Sequence, residues 1–208
     1  MSDEYPPCLG GSMPKSASLL HKIRSVGPGG EILHPPPGLV TPSRVLRSFR
    51  DILSSTSLCS LSTVDDRGRP HSCPVYFATD PEFRIHFLSD PRSAHCRHIR
   101  ARRALSVSVY NSRQIWGGQD VGLAMDGTAR ECRGVAERVA LEAYAERFRR
   151  YRAWIHTAEF SRYGRQYRFY TFIPNHVKIF DERRLSAALF VVAELRRRGR
   201  AGRNLGPV

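Results

Sequence analysis

The residues best equipped for chemistry lie between Phe87 and Ile99, in the run Phe-Leu-Ser-Asp-Pro-Arg-Ser-Ala-His-Cys-Arg-His-Ile. A strand ending at Leu88 and Ser89, a turn carrying Arg92 and Ser93, and a helix entered through His95 and Arg97 would bring hydroxyls, cationic side chains and unpaired backbone N–H groups to one point. Such a point suits an anion, and a phosphate monoester above all, because hydrogen bonds to a charged partner are about twice as strong as neutral ones. In isolation the same residues also read as an ordinary strand-to-helix junction with a Ser cap and solvated arginines. A second set of donors invites a metal reading. His71 and Cys73 are two apart on a predicted strand and share a face, His95 and His98 are neighbours on a short helix, and Cys96 stands between them. Zinc or haem iron uses such ligands, but no spacing here makes a standard zinc box, and the expectation is a site without metal. His156, Glu159 and Arg162 read as a solvated face. Nucleophile-elbow, phosphate-loop and dinucleotide glycine patterns are missing.

The elements that must position these residues are mostly strands. Thr41-Pro42 opens a helix, with Thr41 as cap and Pro42 in the first turn, and Val45, Leu46, Phe49, Ile52 and Leu53 fall on one face of it. From residue 58 the apolar period becomes two. Residues 58–64 and 70–78 form a hairpin around Gly68, and a third strand follows in which Phe83, Ile85 and Phe87 face inward while Arg84, His86 and Leu88 face out. Residues 91–103 suit a short helix, 105–110 another strand, and 121–131 a strand bent at Gly127, where the missing side chain permits a bulge or a close backbone approach. Leu141, Tyr144, Phe148 and Tyr151 recur at helical spacing and predict an amphipathic helix over an open barrel end. Residues 167–172 and 177–180 complete the strand set, and residues 187–195 suit either a strand or a helix, the strand being preferred. The pattern is that of one mainly β domain with some helix (α+β), an antiparallel closed or split barrel over residues 41–195. Residues 1–40, rich in Pro, Gly and Ser, are expected to be a flexible arm, and residues 196–208 a basic disordered tail.

Composition narrows the class. The chain has 208 residues, 41% of them hydrophobic, and no apolar run long enough to cross a bilayer. Cys8, Cys59, Cys73, Cys96 and Cys132 are odd in number and scattered, which speaks against a disulfide framework and for a reducing compartment. The amino-terminal residues match neither a secretory leader nor a transit peptide, so the expected location is the cytoplasm. The formal charge of +14 would suit nucleic acid or anionic ligands. Lysine occurs only at Lys15, Lys22 and Lys178 among the 33 basic residues, however, and arginine supplies the other 30. A skew of that kind is more suggestive of codon bias than of one binding surface. The basic tail also has few aromatics for stacking on single strands, and nucleic acid is not the expected partner.

The order of these pieces resembles the pyridoxamine 5'-phosphate oxidase-like family of flavin-binding split barrels, in its flavin and deazaflavin subgroup. The likeness rests on the hairpin over 58–77, the third strand ending Phe87-Leu88-Ser89, the junction helix, Ser106-Val107-Ser108-Val109, the Met125-Asp126-Gly127-Thr128-Ala129 strand and the closing Val177-Lys178-Ile179-Phe180-Asp181. It covers about residues 42 to 182. The resemblance implies a homodimer with FMN between the subunits, acting as an oxidoreductase on a small organic molecule; the deazaflavin F420, or haem bound without turnover, are the alternatives. It also implies that Leu88 and Ser89 approach the flavin phosphate or ribityl chain, with Ser93 and His95 at the phosphate-gripping positions and Arg92 or Arg97 compensating for a missing permanent charge. Pro74, Val75, Tyr76 and Phe77 would run along the isoalloxazine ring, partly through backbone groups. Better-characterised oxidases have an Arg-Lys pair where this chain has Ala94-His95, and the C-terminal substrate-binding pattern is absent, which argues against vitamin B6 as substrate.

Overall fold

In a computed structural model, residues 19–195 are described. The expected tail over 196–208 and the first 18 residues of the expected arm lie outside them. Thr41 caps the first helix, α1 (Pro42–Ser54), accepting from the Arg44 N–H at 3.3 Å, and Pro42 takes the position where no N–H is required. The apolar stripe of α1 is buried through Val45, Leu46, Phe49, Ile52 and Leu53 against β1 (Leu20–Val26), β6 (Ala104–Tyr110), β7 (Val121–Glu131) and β8 (Arg168–Asp181). Fully burying a side chain such as Phe49 contributes about 1.5–3 kcal/mol, so this stripe alone ties the helix to the barrel.

The remaining strands are β2 (Ile32–Leu33), β3 (Leu58–Val64), β4 (Pro70–Thr79), β5 (Ile85–Ser89) and β9 (Phe190–Leu195). All pairings are antiparallel, and the hydrogen-bonded order is β2-β1-β9-β8-β5-β4-β3-β6-β7. A further β7–β8 pairing closes six strands, β8-β5-β4-β3-β6-β7, into a barrel, as the alternating pattern predicts. The long β8 belongs to the barrel on both sides and also carries β9 and β1 outward. At Gly127 the register between β7 and β8 shifts, and a Cβ there would stand 2.2 Å from the Ile173 carbonyl oxygen. The bend expected at this glycine is therefore a close backbone approach that no other residue could make.

Four readings from the sequence need correction. Residues 20–33 are not an arm: Leu20–Val26 pairs with β9 and then with β2. The left-handed backbone of Lys22 (φ 51°) and a register shift between His21 and Arg24 break the alternation that would have revealed the strand. Phe83 lies before β5, in a turn with φ 59°, yet its ring is buried 4.7 Å from Phe49. The two segments read at 167–172 and 177–180 are one strand, because the bulge opposite Gly127 absorbs Pro174 without ending the ladder. The helix read through Leu141 to Tyr151 breaks at Phe148 into α3 (Val135–Arg147) and α4 (Arg149–Trp154), and α3 packs on the side wall of β4, β5 and β8 rather than over a barrel end. Outward-facing Leu88, Ala78 and Phe169 supply the apolar patch that holds it there.

Candidate functional site

Inside the barrel wall, Ile85, Phe87 and Ser89 of β5 and Val75 and Phe77 of β4 point inward, and so do the less deeply buried His71 and Cys73. Over the mouth they reach lies α2 (Ala94–Ala101), shorter than the segment 91–103 read from the sequence, in contact with β3, β4 and β7. Ser93 is its N-cap, but its hydroxyl makes no capping bond. That hydroxyl lies 3.2 Å from His95 Nε2, and Ser89 Oγ lies 2.7 Å from the same nitrogen and 3.4 Å from Ser93 Oγ. Two hydroxyls and an imidazole thus meet beside a helical first turn whose N–H groups no side chain caps. Burial, then the neighbouring His71 and His98, push the His95 pKa below its ordinary 6.5, so the ring is neutral at neutral pH.

The ten residues singled out in the sequence separate into four groups. Ser89, Ser93 and His95 come together as described. Arg92 and Arg97 stand apart: the Arg92 guanidinium is held by Asp90, with Nη2 to Oδ2 at 2.6 Å, and Arg97 donates to the Arg92 carbonyl. Hydrogen bonds from Arg92 in turn bring the Asp90 carboxyl down to about 2. Leu88 packs beneath α3. On β4 the alternation decides the rest, since Pro74 and Tyr76 are exposed while Val75 and Phe77 are core. Of these four, only Pro74 and Tyr76 present side chains to the outside of the barrel.

That outer face is unusually plain. The pairings place Pro74, Ser60, Ser108, Ala124 and Lys178 in one row across β4, β3, β6, β7 and β8. A cleft of about 480 Å³ opens on it, lined by Ser108, Tyr110, Gly122, Ala124, Lys178 and Phe180. In the loop after β6, Ile115 and Trp116 are 82% and 99% exposed, an apolar projection that no other described residue covers.

Sequence reasoning missed a second polar cluster, on the wall under α3. His86 was expected to face solvent, but it is 1% exposed, with Nε2 3.1 Å from Asp80 Oδ2 and Nδ1 2.9 Å from Thr171 Oγ1. Cys132 Sγ reaches the same threonine at 2.8 Å, and Arg84 Nε donates to Asp80 Oδ2. Burial raises the Asp80 carboxyl, but hydrogen bonds and charge from His86 and Arg84 outweigh it and hold the group below its ordinary 3.8. Also missed was Arg147, buried over the Phe77 ring at 4.5 Å and donating to the carbonyls of Leu53 and Thr56. In the sequence it is one of many arginines on a charged helix. Of the metal candidates, the structure brings His71, Cys73 and His95 together, places the His98 ring edge-on to His71 at 5.4 Å, and buries Cys96 in the core.

The family model for pyridoxamine 5'-phosphate oxidase matches residues 46–180. Among curated proteins none matches this chain. Solved structures share its fold. A heme binding protein from Mycobacterium smegmatis is 16% identical with a TM-score of 0.55, over 67% of this chain and 55% of that one. A protein of unknown function from Agrobacterium tumefaciens is 17% identical with a TM-score of 0.55, over 71% and 60%. A FAD-binding protein from Mesorhizobium loti is 15% identical with a TM-score of 0.50, over 83% and 99%. This chain thus spans well under two thirds of the first two. At such identities the likeness is one of fold, and chemistry has to be argued from the site.

Proposed function

We propose, on the premise that this chain belongs to the pyridoxamine 5'-phosphate oxidase family, that it is an FMN-dependent oxidoreductase acting on a small organic molecule, with the cofactor held between two copies of the chain. The observation that carries this reading is the meeting of Ser89, Ser93 and His95 at the uncapped start of α2.

The residues present fit a phosphate monoester. Two hydroxyls and the first-turn N–H groups are donors already aimed at one region, and the helix end favours negative charge. The grip is one of oriented dipoles. Arg92 is engaged by Asp90 and the His95 ring is neutral, so neither supplies a free charge to the nest in the unliganded chain. Ser89 and Ser93 would donate to the phosphate, and His95 would hold their hydroxyls in place. Pro74 and Tyr76, on the outer face of β4, would flank the ring system, and a second barrel laid on the row of small residues would exclude water from it. Ile115 and Trp116 supply apolar area for that second copy. FMN, when bound, supplies the hydride and electron transfer, which is why no acid or base of this chain is required for the chemistry itself.

The test is to release the bound small molecule from the purified protein, identify it by mass spectrometry, and then rebind FMN and riboflavin to the stripped chain. FMN, a flavin absorption spectrum and a dimeric mass are the expected results; F420 or haem in its place would overturn the FMN assignment. Replacing Ser89 and Ser93 together by Ala should weaken FMN about 10- to 100-fold, the worth of one to two hydrogen bonds to a charged group. Riboflavin, which lacks the phosphate, should be little affected, and equal losses for both ligands would reject the phosphate grip.

A further inference from the structure

We propose that His71, Cys73 and His95 form a site for a single d-block divalent cation of the zinc class, with water in the fourth position. One ligand atom from each residue lies within 4.8 Å of those of the other two. Around tetrahedral zinc, with bonds of about 2.0–2.3 Å, neighbouring ligand atoms stand roughly 3.5 Å apart. The three donors therefore need only about 1 Å of closure, within the reach of side-chain rotation. They come from two elements, the inward face of β4 and the first turn of α2, so the fold and not a local sequence motif assembles them.

The chemistry of the donor set points the same way. One thiol and two imidazoles match the borderline preference of zinc, and no carboxylate belongs to the cluster to favour calcium or magnesium. The hydroxyls of Ser89 and Ser93 hold His95 Nε2, as outer partners commonly do for a ligating histidine. When Nε2 donates to Ser89, Nδ1 keeps its lone pair for a cation. Beside them, Thr63 Oγ1 fixes the ring of His98 through Nδ1 at 3.0 Å, edge-on to His71. Three converging donors suit a bare ion better than haem iron, which takes its protein ligands only along the axis of the porphyrin. As the metal–sulfur bond forms, Cys73 releases its S–H proton to solvent and no oxidation state changes.

The full-length chain, stripped with a chelator, should be titrated with Co²⁺. One equivalent should produce a thiolate-to-cobalt charge-transfer band in the near ultraviolet and tetrahedral d–d bands in the visible, both bleached by Zn²⁺. Cys73→Ser should lose the charge-transfer band and weaken Co²⁺ binding by more than about 100-fold, beyond the loss of an outer partner. Cys132→Ser, on the distant wall under α3, should keep the band. His71→Asn should weaken Co²⁺ similarly while leaving FMN affinity unchanged, which separates failure of this site from failure of the phosphate grip. Because His71 is only partly buried, that variant also decides the matter if Cys73→Ser does not fold. No saturable Co²⁺ spectrum in the wild type, a band that survives Cys73→Ser, unweakened binding in His71→Asn, or hemin binding in place of Co²⁺ would each overturn the proposal.

Discussion

Two buried histidines in this barrel have opposite surroundings. His86, on the wall under α3, has both ring nitrogens bonded, one to the Asp80 carboxylate and one to Thr171, and a second layer of partners in Arg84 and Cys132. His95, at the mouth under α2, has no acid bonded to it among the described residues; its neighbours are two hydroxyls, a second imidazole and a thiol. The difference shows how an imbalance marks a site. Around His86 both ring nitrogens have partners and the Asp80 carboxylate answers the Arg84 guanidinium, so the cluster closes on itself and serves the fold. Around His95 the hydroxyls of Ser89 and Ser93 lie on one side and the His71 and Cys73 donors on the other, and no carboxylate among the described residues closes the cluster.

The comparison can be broken most directly at Asp80. Asp80→Asn would leave Arg84 without its counter-charge and disturb the bond to His86 Nε2, and should cost about 3 kcal/mol in urea unfolding, the low end for a buried pair because Arg84 is partly exposed. A loss below about 1 kcal/mol would show that the wall cluster is not what holds β5 to β8. Thr171→Val should cost less, about 1–2 kcal/mol, by unpairing His86 Nδ1 and releasing Cys132. FMN binding should not move in the Thr171 variant, and a matched loss of FMN would merge the two regions into one. The pH dependence sharpens the contrast further. Since the folded Asp80 carboxyl lies below its ordinary 3.8, its contribution is complete above that value and is lost as the pH falls through the folded value. Wild-type stability should therefore drop more steeply than that of the Asp80→Asn protein between about pH 5 and 2, and parallel curves would contradict the assignment. The smallest effect is expected at Arg92, whose fork is already on Asp90: Arg92→Ala should change FMN affinity by less than about threefold, as for an exposed ion pair.

Much of the barrel was legible because alternation is a local signal. Leu58–Val64 and Pro70–Thr79 announce themselves by period two around a glycine turn, and Gly127 marks its own bulge. β1 was not legible, because Lys22 in a left-handed conformation interrupts the period and the partner strand, β9, lies far along the chain. His86 was misread for a related reason. Its position on β5 says only that it faces away from Ile85 and Phe87, and the cover that buries it comes from α3, dozens of residues later. At the junction, the run Ser89 to His95 could be read as a strand-to-helix turn that gathers hydroxyls and an imidazole, as it does, but that Asp90 engages the Arg92 fork depends on side-chain geometry.

By itself the sequence determined most of the barrel strands, the turn glycines, the capped first helix and the hydroxyl-rich entry to α2, since each depends on the conformational preferences of a few adjacent residues. Only the tertiary structure decided that His71 and Cys73 of β4 would lie under His95, that His86 would be sealed beneath α3, and that a row of small side chains would form one outer face. Those are meetings between distant segments, set by the register of the barrel and the packing of helices on its walls, and no local periodicity encodes them.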